Sequence, residues 1–131
     1  MKTNFLVLFV VLVSAVHAQS ENNHWIFANN LVVDFGNVPL VATTDGPFQV
    51  DEGSASISNQ SGDLLFSTDG ANVYNRNGSI MPNGTGLSGD FSSTQNAIIV
   101  PEPGDTQERF YYVFTISSQS IDGENIGLDA A

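Results

Sequence analysis

Residues 54–101 read SASISNQSGDLLFSTDGANVYNRNGSIMPNGTGLSGDFSSTQNAIIVP, and the punctuation of this stretch decides the fold class. Short apolar runs are separated by Ser61-Gly62-Asp63, Asp69-Gly70, Arg76-Asn77-Gly78 and Pro82-Asn83-Gly84. Gly and Asn accept a positive φ, and Asp or Ser side chains bond the nearby backbone, so each cluster turns the chain. Strands this short, at spacings of about ten residues, describe an antiparallel meander. Leu64 to Thr68 and Asn72 to Asn75 flank Asp69-Gly70, which is a strong hairpin signal. Ala55 to Ser58 is a preceding strand of small residues, and Asn77 to Ser93 reads as a long Gly-, Asn- and Ser-rich loop.

Moving outward, His24 to Phe27 and Leu31 to Phe35 alternate with period two and read as strands turned by Asn29-Asn30. Val38 to Thr43 contains Pro39, which confines it to an edge or a loop. Toward the C-terminus, Asn96 to Val100 and Arg109 to Ser117 read as two more strands. In the second, Phe110, Tyr112, Phe114 and Ile116 share one side, with Tyr111 and Val113 on the other. A strand apolar on both faces must be covered on both, which stacked sheets achieve in a propeller or sandwich. No stretch has helical periodicity, so the expectation is all-β.

Residues 1–18 carry Lys2, an apolar run from Phe5 to Val13, and the small residues Val16 and Ala18. That is the pattern of a secretory signal peptide, with cleavage expected between Ala18 and Gln19 and the domain assigned to residues 19–131. The apolar run is shorter than the roughly 20 residues of a membrane-spanning helix, so no stable membrane insertion is expected. Beyond it, Arg76 and Arg109 stand against fourteen acids. Such a surface repels phosphate backbones, and no nucleic acid is expected as a partner. The chain has no cysteine, although small secreted domains commonly rely on disulfides. The remaining explanations are a self-sufficient small sandwich or a piece of a larger body.

The residues offer little chemistry. His24 reads as a surface histidine on an edge strand, not as the base of a Ser-His-Asp set. Asn59, Ser61 and Asp63 have calcium-loop spacing but lack the later bidentate acid, and a hairpin turn accounts for them. Asp51-Glu52, and Glu102 with Asp105, read as solvated loop acids, not the facing carboxylates of a glycosidase. No catalytic, cofactor-binding or metal-binding residue is therefore assigned, and no cofactor is expected. The assigned positions are the structural turns Gly62, Asp63, Asp69, Gly70, Asn77 and Gly78.

An ordered series of motifs adds a resemblance. Val33-Asp34-Phe35, Asp51 through Ser58 and Gly62 through Arg76 are followed by Met81 through Leu87. Ser92-Ser93-Thr94-Gln95, Val100 through Gly104 and Tyr111 through Thr115 complete the series. Together they resemble the N-terminal part of a family of large surface proteins of gliding bacteria that use type IX secretion. Ala28 replaces the family's opening glycine, and Tyr74 its commoner tryptophan. The resemblance implies the first one or two blades of a WD-repeat-like β-propeller, truncated at the C-terminus, with the remaining blades on a longer chain. It also implies a secreted or outer-surface, non-enzymatic module of adhesion or gliding, with an extracellular protein or glycan as ligand. The alternative is the opening of a propeller-fold extracellular hydrolase whose catalytic residues lie further on.

Overall fold

The computed structural model describes residues 20–27, 29–90 and 92–117, and the backbone of 128–130. The expected cleavage point at Ala18 and Gln19 lies outside them. Among the described residues, a 3-10 turn at Ser20–Asn22 precedes ten strands. The first sheet holds β1 (His24–Phe27), β2 (Leu31–Asp34) and β3 (Val41–Thr43), in that order. The second holds β4 (Ala55–Ser58), β5 (Leu64–Thr68), β6 (Asn72–Asn75) and β7 (Ile80–Thr85). The third holds β8 (Ala97–Pro101), β9 (Tyr111–Ile116) and β10 (Leu128–Ala130). All neighbours are antiparallel. The all-β, antiparallel expectation is thus met, in three successive open meanders where one or two were expected.

One element differs from the sequence reading. Ile80–Thr85, expected within a loop, is the edge strand β7. Its pattern was hidden because Pro82, Asn83 and Gly84 punctuate it, and Asn83 has a φ of 59°. An edge strand tolerates such residues because only one side must pair. The register shifts between Asn72 and Tyr74 accordingly.

The second sheet lies between the other two. On one face, Tyr74 meets Ile26 of β1, together with Phe48 and Val50 from the connection between the first two sheets. On the other face, Phe66 meets Tyr111 of β9 edge-on, with ring centroids 5.3 Å apart. The first strands are the points of closest inter-sheet approach, β1 to β4 and β4 to β8. Between β4 and β8 the approach needs a glycine: a Cβ on Gly53 would come within 2.6 Å of Asn96 N and Ser93 O. The Gly53 amide instead donates to Ser93 O at 3.1 Å.

The joint between β1 and β4 is polar, and its cause is local. β1 is an edge strand, so the carbonyls of alternate residues point away from its partner β2. Ser54 Oγ donates to the carbonyl of Ile26 and Ser56 Oγ to that of His24, both at 2.5 Å. The serines of Ser54-Ala55-Ser56-Ile57-Ser58 therefore sit at every second residue because they face one neighbouring strand edge. Replacing Ser54 and Ser56 together by alanine should cost about 2 kcal/mol, because two part-buried carbonyls lose their donors. Urea unfolding checks this, with the slope against denaturant expected to stay unchanged.

Candidate functional site

His24, read from the sequence as a surface residue, is instead held between the first and second sheets. Its position opening β1 aims the ring at β4, where Nδ1 lies 3.0 Å from Ser58 Oγ. Its Nε2 lies 3.7 Å from Asp34 Oδ2. The sequence signal was available, since His24 shares a strand face with the core residue Ile26, but a lone histidine carries no information about its partner. His24 and Asp34 border a cleft of about 420 Å³, also lined by Asn37, Asp63 and Arg76.

The trio invites comparison with a Ser-His-Asp set, and its geometry differs at each point. Acyl transfer needs the serine oxygen open to a carbonyl, with donors placed for the oxyanion. Ser58 is only 1% exposed, on the β4 face covered by the first sheet. The ring is also turned so that Nδ1 meets the serine and Nε2 the acid, the reverse of the usual arrangement. As placed, the three residues join β1, β2 and β4.

A second concavity, of about 580 Å³, runs along the first strands of all three sheets. Trp25 and Phe27 of β1, Ser54 just before β4 and Ser56 within it, and Ile98 of β8 line it, with Asn22, Glu52, Thr94 and Gln95 as further polar groups. Thr94 Oγ1 donates to Glu52 Oε2 at 2.6 Å, which joins the segment leading into β4 to the one leading into β8. Trp25 Nε1 donates to the carbonyl of Asn22 at 3.0 Å, fixing the indole at the rim.

Gly62, Asp63, Asp69, Gly70, Asn77 and Gly78 lie in the connections between neighbouring strands of the second sheet. Gly62, Gly70 and Gly78 have φ of 91°, 89° and 77°. Asp63 donates its amide to Asn59 Oδ1 at 2.9 Å, and Asn59 Nδ2 donates to Asp63 Oδ2 at 3.2 Å, so the calcium-like spacing closes on itself. Asn77 donates its amide to Asn75 Oδ1 at 2.9 Å. Asn75 is the pivot that the sequence did not single out, since Ser79 N also reaches its Oδ1. Asp69 does most. Its Oδ1 accepts from the amides of Ala71 and Asn72, and its Oδ2 from Asn72 Nδ2 and the Tyr74 hydroxyl. Its carbonyl accepts from Asn96 Nδ2 at 2.5 Å, linking this turn to the third sheet.

Burial, then the hydrogen bond to Asp69 and its charge, push the Tyr74 hydroxyl from 10.0 to about 12. An unfolded tyrosine ionises near 10. Between these values the folded chain binds the extra proton, so stability falls as pH rises from about 10 and is fully lost from this source only above about 12. Tyr74→Phe is expected to flatten that decline, read as urea midpoints across the alkaline range. Tyr111, also raised chiefly by burial and next by the charge of Glu108, leaves a smaller residual slope. Asp105 is a surface counterpart of Asp69: backbone N–H groups of Gln107, Arg109 and Phe110 hold its carboxyl below the ordinary value.

Among the described residues no group of three or more His, Cys, Asp or Glu side chains could hold a metal ion. No helix among them is long and apolar enough to cross a membrane. Compared with protein-family models, with curated proteins and with solved structures, the chain matches none.

Proposed function

We propose that residues 19–131 form a propeller-type module, secreted or displayed at the cell surface, that binds an extracellular protein or glycan and does not catalyse its turnover. One observation carries the reading. Three meanders follow one another in sequence, and their first strands β1, β4 and β8 border one cavity while the later strands lead away from it. Radial repetition of small sheets about a channel is the organising feature of propellers. The polar rim of Asn22, Glu52, Thr94 and Gln95 is the surface that such a module offers to a ligand. The covered position of Ser58 favours binding over hydrolysis.

The test uses beads carrying the secreted chain, passed over polysaccharide- and protein-coated surfaces. Retention should exceed that of bare beads and fall about tenfold in a Glu52→Ala, Gln95→Ala variant, the scale of one lost charge-assisted contact. Retention no greater than that of bare beads would count against a binding module. Polysaccharide or peptide turnover abolished by His24→Ala would replace it with an enzyme.

A further inference from the structure

We propose, resting on the binding reading above, that Asn96 is the positioning residue of the rim, and that its buried carboxamide sets Thr94 and Gln95 against Glu52. Thr94 and Gln95 are exposed, whereas Asn96, the next residue, is 0% exposed. It is engaged on three sides. Its carbonyl accepts from Ile116 N at 3.0 Å, which ties it to β9. Its Nδ2 donates to the Asp69 carbonyl at 2.5 Å, which ties it to the β5–β6 turn. Its backbone nitrogen lies against Gly53, the residue after Glu52, where a Cβ would come within 2.6 Å. The turn makes room in the same way, since a Cβ on Gly70 would stand 2.8 Å from Asn96 Cγ.

Stability alone does not account for an asparagine at this place. Asn96 Oδ1 is enclosed and has no hydrogen-bond partner within the protein. An acceptor buried without a donor destabilises the fold. The carboxamide cannot escape by turning over, because Oδ1 would then meet the Asp69 carbonyl, acceptor against acceptor. Positions that break a local rule in this way are where function is expected to set the residue. What the tether secures is the rim. With Asn96 fixed between the turn and β9, the residues before it meet the segment that leads into β4. The Gly53 amide donates to Ser93 O at 3.1 Å, and Thr94 Oγ1 to Glu52 Oε2 at 2.6 Å. The Gln95 carboxamide is left unpaired among the described residues and lines the cavity. A binding constellation keeps its geometry to about 0.5 Å only when the side chains behind it are themselves locked. Asn96 is that lock.

Asn96→Leu removes the tether at similar volume. It exchanges one unpaired acceptor, Oδ1, for another, the Asp69 carbonyl, so the urea midpoint should stay near that of the wild type. Retention on the coated surface that holds wild-type beads should nevertheless fall about tenfold, as for the rim variant itself. Exchange of the Gly53 amide, which reports the register of the rim, should quicken. Asn96→Asp gives a second readout. Its carboxylate faces the Asp69 carbonyl without a donor, whereas its protonated form has one to offer. Retention relative to wild type at the same pH should therefore be low at neutral pH and rise on acidification. Wild-type retention by a folded Asn96→Leu chain, or a ratio for Asn96→Asp that does not change with pH, would overturn the positioning role and leave the binding reading standing. Wild-type beads held no better than bare ones would remove both. Where Asn96→Leu does not fold, the pH course of Asn96→Asp decides alone.

Discussion

Phe48→Ala is expected to lower the free energy of unfolding by about 3–5 kcal/mol, the range for emptying a buried aromatic site. Phe48 is 5% exposed and lies between the first and second sheets, its ring 5.2 Å from that of Tyr74. Ile26 and Val50 complete the cluster, with Val32 and Leu64 against it. The site is fixed by two sheets and a connecting segment, so it cannot collapse without moving one sheet on the other. Against total stabilities of about 5–15 kcal/mol for such domains the loss is a large fraction, and at slopes of about 1–3 kcal/mol/M the urea midpoint should fall by about 1 M or more. An equilibrium urea titration followed by far-ultraviolet circular dichroism checks this. A midpoint shift comparable to that of a surface substitution would show that the connection is not part of the core.

Asp69→Ala is expected to cost about 3 kcal/mol, because four donors lose a charged acceptor together. Two of these are the amides of Ala71 and Asn72, which turn the β5–β6 hairpin, and a third is the Tyr74 hydroxyl, which leads into the core. The loss should therefore be felt on both sides: faster exchange at the Ala71 and Asn72 amides, and a Tyr74 hydroxyl that ionises closer to its ordinary value. Asp69→Asn keeps the acceptor oxygen without the charge and should recover about half of the stability. If Asp69→Ala unfolds at the wild-type midpoint, the turn is held by Gly70 and the Thr68 hydroxyl alone. The Thr68 hydroxyl accepts from the Gly70 amide at 3.0 Å and donates to the Asn72 carbonyl at 2.7 Å.

The two residues differ in how far their roles could be read in advance. Asp69 was legible, since Asp-Gly between alternating runs names a hairpin turn whose chemistry acts within five residues. Phe48 was not, because it sits in no strand and its partners Ile26 and Tyr74 lie more than twenty residues away on either side. His24 shows the same limit. Its strand was expected, but its neighbours Ser58 and Asp34 come from two other strands. The aromatic strand β9 was read as covered on both faces, and the structure covers one: Tyr111 and Val113 face the second sheet, while Phe110 and Tyr112 remain exposed.

By itself the sequence determined the antiparallel all-β class, the short strands and the placement of their turns, because period-two alternation and positive-φ residues act over a few neighbouring peptides. Only the tertiary structure decided that the strands sort into three sheets, that the serines of β4 serve the free carbonyls of β1, and that β1, β4 and β8 surround one cavity. Those outcomes depend on which edges and faces meet across 20 to 60 residues of chain, where burial of apolar faces and satisfaction of open backbone groups select the arrangement.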